Sequence, residues 1–116
     1  MSGTIKELQQ LITTFRDERD WKQFHNPKDL AIALVLEASE ILEHFLWKKD
    51  TEIDQRVDSH YNDIQDEVAD VAIYLIELCD ILDIDLSEAV QSKMDKNTKK
   101  YPVEKSKGNA KKYSEL

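Results

Sequence analysis

Residues 30–47 read LAIALVLEASEILEHFLW, and this stretch decides the fold. Thirteen of its 18 residues are apolar or aromatic, and Leu30, Leu34, Glu37 and Ile41 fall in line at helical spacing. A helix apolar on most of its surface is built to be buried, yet it carries Glu37 and Glu40. A second stretch, residues 63–82 (DIQDEVADVAIYLIELCDIL), repeats the arrangement with Glu67 and Asp70. An uncompensated buried carboxylate costs several kcal/mol or shifts its pKa until it is neutral, so four that converge need protons or a hard cation.

Working outward, Thr4 and Glu7 have the spacing of a capping box ahead of Ile5, Leu8, Leu11, Ile12 and Phe15, which predicts a first helix over about 5–19. Asn26-Pro27, a cap residue followed by proline at the first helical position, opens a second helix to about residue 48. A polar loop precedes a third helix from about 54 to 82. Asp85 and Glu88 cap a fourth, which ends near Tyr101-Pro102 because a residue before proline is biased out of the α region. Residues from about 101 read as an extended tail. Two Gly and two Pro in 116 residues are too few for a sheet with its turns. The expectation is one all-α domain over residues 1–116, a four-helix bundle protomer.

Residues 1–92 carry 8 basic and 21 acidic groups, whereas residues 93–116 carry 8 basic and 3 acidic ones. So acidic a body repels a polyanion, so a nucleic acid polymer is not the expected partner, and a small metal-chelated phosphate fits better. No apolar run reaches membrane length and no signal core opens the chain. Cys79 stands alone in an apolar run and reads as a packed thiol. The expected compartment is cytoplasmic.

If the two acid-bearing helices pack side by side, Glu37, Glu40, Glu67 and Asp70 meet. Hard oxygen donors without clustered His or Cys suit Mg²⁺, or Mn²⁺ in its place. A di-iron bundle needs Glu-x-x-His, which is absent; a calcium loop lacks its Gly and final Glu; no glycine-rich phosphate loop exists. Asp80, Asp83 and Asp85 read instead as the end of one helix and the cap of the next. The competing account is a polar stripe paired with Lys or Arg, but residues 30–47 and 57–92 contain neither.

Glu-x-x-Glu, 26 residues, then Glu-x-x-Asp resembles the signature of the all-α nucleoside triphosphate pyrophosphatases, the MazG-like group. Residues 18–25 (ERDWKQFH), 45–48 (FLWK), 93–97 (KMDKN) and 101–103 (YPV) are similar to its dCTP pyrophosphatase branch. The resemblance implies hydrolysis of a deoxynucleoside triphosphate, dCTP or a modified dCTP, to the monophosphate and pyrophosphate, as a nucleotide-pool sanitation step. It implies Mg²⁺ on Glu37, Glu40, Glu67 and Asp70; a carboxylate not fully used as ligand could accept the proton of a bound water, with Glu40 ahead of Glu37 as candidate base. It assigns Lys93 and Asn97 to the phosphates and sugar, with Tyr101 one turn on, and Trp21, Trp47 and Tyr74 to the base. It also implies a homodimer or homotetramer.

Without the resemblance, Trp21 and Trp47 read equally well as core filling at helix ends, and Tyr74 as a core cap. His25 is counted with the substrate-binding candidates, although its place before a helix start reads as a loop histidine satisfied by backbone. His44 and His60 receive no role. The alternative function is a non-catalytic acidic helical module that binds a basic partner.

Overall fold

The computed structural model describes residues 3–116, and every α-helix in it begins where the side chains can answer free backbone donors or where the preceding turn feeds it. Helix α1 (Ile5–Glu18) starts at Thr4, whose hydroxyl oxygen accepts the Glu7 N–H at 3.1 Å. After a 3₁₀ turn at Lys22–Phe24, α2 (Pro27–Glu43) starts at Asn26, whose side chain accepts the Asp29 N–H at 2.8 Å. Asp85 does the same for α5 (Leu86–Lys100), accepting the Glu88 N–H at 3.0 Å. These three starts stand where the sequence put them.

Three boundaries differ. Helix α2 ends at Glu43 rather than 48: the N–H groups of His44, Phe45 and Leu46 donate to carbonyls three residues back, the tightening that unwinds a helix. Trp47 then takes φ +64°. The apolar run continues through this turn, which is why periodicity carried the helix too far. The expected third helix is two, α3 (Ile53–Ser59) and α4 (Tyr61–Leu82), broken at His60 (φ −125°, ψ 26°) with no glycine or proline to announce it. The expected extended tail contains a single turn, α6 (Val103–Ser106), and a 3₁₀ turn at Tyr113–Glu115. Six α-helices thus stand where four were expected. The all-α class holds, with no strand among the described residues, and no helix there is long and apolar enough to cross a membrane.

The chain forms two compact units, one up to Ile84 and one from Asp85. In the first, α2 packs along α4, while α1 crosses α4 and α3 lies against it. Leu30, Ile76 and Cys79 form its most buried apolar core, and burial pushes the Cys79 thiol up, as expected of a packed cysteine. The same core holds a charge. Arg16 is 2 % exposed and donates to Asp80 at 2.8 Å and Asp17 at 2.9 Å, while Gln9 donates to Asp80 at 3.1 Å. Helix α4 closes on Asp83 in the left-handed region (φ +53°), with the Ile84 N–H reaching back to the Cys79 carbonyl at 2.9 Å. Asp83 and Asp85 do end one helix and cap the next, whereas Asp80 belongs to the buried ion pair.

Candidate active site

Glu37 lies in the middle of α2 and Glu40 one turn on; Glu67 and Asp70 lie in the first half of α4. The two helices run antiparallel, since the C-terminal end of α2 (His44) meets Glu67 near the start of α4. The four carboxylates therefore act on one another. Burial above all pushes the Glu37 carboxyl up, helped by a hydrogen bond with Glu40 and by repulsion from Glu40, Asp70 and Glu67. Glu37 Oε2 and Glu67 Oε2 are both buried with no hydrogen-bond partner. Orphaned buried oxygens are uncommon and call for a missing partner. An all-oxygen donor set fits Mg²⁺ or Mn²⁺. Among the described residues, no three His, Cys, Asp or Glu side chains meet closely enough to hold an ion as they stand.

Beside Glu67 stands His44, a residue to which the sequence assigned nothing. It is 9 % exposed, and its Nε2 lies 2.6 Å from Glu67 Oε2, within ion-pair distance. On its other side, His44 Nδ1 is 3.3 Å from the Arg56 guanidinium of α3. A guanidinium only donates, so these partners assign the ring proton to Nε2, facing Glu67. His44 and Arg56 thus orient one carboxylate from behind, the usual arrangement around metal ligands. The only signal in the sequence was a histidine seven residues beyond Glu37, on the same face of the helix.

Beside the cluster opens a cleft of about 500 Å³. Leu11, Ile12 and Phe15 of α1 and Ile73 of α4 give it apolar walls; Trp21, His25 and Tyr74 contribute rings; Asp70 and Glu77 are its carboxylates. The volume is in the range of small-molecule sites. Trp21 is half-exposed and meets Phe15 edge-on at 5.8 Å, so it lines the cleft rather than filling the core. Tyr74 is half-buried, and its hydroxyl is pushed up by burial first, then by Glu37, Glu77 and Asp70. It stands between the cluster and the far end of the cleft. His25 is not satisfied by backbone at Nδ1: that atom is buried without a hydrogen bond, 3.7 Å from Glu77 Oε2.

Trp47 lies outside this cleft and is 91 % exposed, so it does not fill core either. Its left-handed backbone costs a bulky residue about 1–2 kcal/mol. Lys93, Asn97 and Tyr101 belong to the second unit, spaced four apart on and just beyond α5. There Tyr101 packs edge-on against Tyr113 at 6.2 Å.

Fold and site together define an all-α protein with paired helical carboxylates at the mouth of an apolar, ring-lined cleft. The chain belongs to the MazG-like family, whose profile matches residues 32–116. It is 44% identical over 115 residues to dCTP pyrophosphatase 1 of Mus musculus and 41% identical over 115 residues to dCTP pyrophosphatase 1 of Homo sapiens. Each alignment covers 97% of this chain and 68% of the relative. The crystal structure of a pyrophosphatase from Archaeoglobus fulgidus is similar with a TM-score of 0.82 at 39% identity, covering 88% of this chain and 95% of that one.

Proposed function

We propose that this chain is a Mg²⁺-dependent nucleoside triphosphate pyrophosphohydrolase that converts dCTP or a modified dCTP to the monophosphate and pyrophosphate. The observation that carries the reading is the junction of two environments. A set of oxygen-only carboxylates with orphaned buried atoms shares Asp70 with an apolar cleft large enough for a nucleobase and sugar. Membership of the MazG-like family and the likeness to dCTP pyrophosphatase 1 support the reaction class and suggest the base.

Glu37, Glu40, Glu67 and Asp70 would hold Mg²⁺, which neutralises phosphate charge and makes a bound water more acidic. The chain's own contribution is placement. Trp21 and Tyr74 offer rings along the cleft, its apolar walls keep water from the sugar and base, and His44 holds Glu67 toward the phosphates. The water oxygen attacks the α-phosphorus, the bond from that phosphorus to the bridging oxygen breaks, and pyrophosphate leaves. A carboxylate, Glu40 or Glu37, takes the water's proton. Lys93, Asn97, Tyr101 and Trp47 enter the substrate site through the family resemblance alone.

The resemblance also implies self-association, and the outer side of α2 suits it. Ile32, Val35, Leu36 and Leu42 recur at helical spacing and remain half or more exposed, a largely apolar stripe, with Glu43 at its end, that a second copy of the chain would cover.

The test is direct. Each of the four dNTPs is incubated with the chain and Mg²⁺, and monophosphate and pyrophosphate are measured. Release from dCTP, abolished by EDTA and restored by Mg²⁺, is expected. Release of inorganic phosphate alone, or no product from any triphosphate, sinks the reading.

A further inference from the structure

Four residues of α4 form one line along the helix: Glu67, Asp70, Tyr74 and Glu77. The first two belong to the carboxylate cluster, and Tyr74 stands in the middle. Glu77 closes the line and lines the same cleft, about 10 Å of helix rise beyond Asp70. A deoxyribose and one pyrimidine ring bridge such a length. A nucleotide with its phosphates at the cluster therefore brings the far edge of its base to Glu77.

Glu77 is also a carboxylate without a settled partner. It is 4 % exposed, and among the described residues the one cation-capable group within ion-pair range is His25, at 3.7 Å, too far for a hydrogen bond. Asp80, one turn on, is by contrast answered by Arg16 and Gln9. A buried carboxylate on an apolar wall needs a donor, and the cleft leaves room for a ligand to bring one.

We infer that Glu77 reads the base: it accepts a hydrogen bond from the exocyclic amine of a cytosine-type ring and so selects amino-bearing over keto-bearing pyrimidines. Cytosine presents N4–H₂ as a donor at this edge, whereas uracil and thymine present the acceptor O4. Two acceptors facing each other in a dry site leave both unpaired, which is how such sites reject a near-isostere. The inference rests on the pyrophosphohydrolase reading and adds to it the residue that sets the substrate class.

The experiment compares kcat/KM for dCTP and dUTP, which differ only at that edge, in the wild-type chain and in Glu77→Gln. A carboxamide can turn its NH₂ toward O4, so the wild-type preference for dCTP is expected to fall at least about tenfold. A folded variant with an unchanged ratio overturns the inference, as does a wild-type chain that hydrolyses both equally. The wild-type chain supplies a second readout independent of the variant's folding. Burial, opposed by His25 and Arg16 and reinforced by Asp80, raises the Glu77 carboxyl, and Tyr74 lies one turn away. Once protonated, Glu77 offers an O–H to O4, so the dCTP/dUTP ratio narrows as pH falls toward the carboxyl's raised value, while phosphate and metal effects common to both triphosphates cancel. A ratio that instead widens as pH falls refutes the inference even if Glu77→Gln does not fold. Failure of the wild-type chain to release pyrophosphate from any dNTP refutes the underlying activity instead, and is told apart by that result alone.

Discussion

Acidic side chains on α4 are handled in two opposite ways. Near its C-terminal end Asp80 is closed off: buried Arg16 and Gln9 answer its oxygens, and no ligand is needed. Near its N-terminal end Glu67 faces Glu37 across the helix pair, and each keeps a buried oxygen without a hydrogen bond. The first arrangement is complete and serves the fold. The second is left open, and on the proposed reading a cation completes it, its cost in the free chain being the counterpart of its affinity for metal.

Substitutions distinguish the two ends. Glu40→Ala or Asp70→Ala should lower kcat/KM by about 10²–10⁴-fold if the residue serves as base or holds the ion that activates water. Neither variant should melt lower than wild type in EDTA, because each removes repulsion; a large loss of stability with activity retained would reverse the assignment. Asp80→Ala should do the converse, costing about 3 kcal/mol in urea denaturation by leaving Arg16 with Asp17 alone. Its kcat/KM per folded molecule should stay close to wild type. An intermediate effect is expected at His44. His44→Ala should weaken Mg²⁺ affinity or turnover by about 10–100-fold, read from the Mg²⁺ concentration dependence of the rate.

The smallest effect concerns pH. The Glu77 carboxyl is raised by burial, so the folded chain holds a proton that the unfolded chain has already released. Its contribution to stability is full below the unfolded carboxyl value and is lost as pH rises through the raised folded value. Glu77→Gln cannot ionise, so its melting temperature relative to wild type should climb from pH 5 to pH 8. A difference independent of pH would show that Glu77 does not titrate in this range.

The contrast between the two ends also explains what the sequence made legible. Helix starts at Thr4, Asn26 and Asp85 were readable because capping is local, set by residues three apart. The four acids were readable because a charge inside an apolar helix is itself an anomaly. The break at His60 was not, since neither glycine nor proline marks it and the pattern runs on. Arg16 with Asp80, 64 residues apart, follows only from how α1 crosses α4. Counting Lys and Arg alone hid the rest. His44 and His25 meet Glu67 and Glu77, so the acids have partial partners that a charge count with neutral histidine omits.

The turn after α2 leaves the chain with an optical probe of its own. Of its two tryptophans, Trp47 stands almost fully in water and Trp21 lies half-covered beside Phe15. With Trp21→Phe, the remaining indole should emit at the long-wavelength limit of a solvated ring. Any second copy or nucleotide that comes to lie over it would then register as a blue shift, without a label.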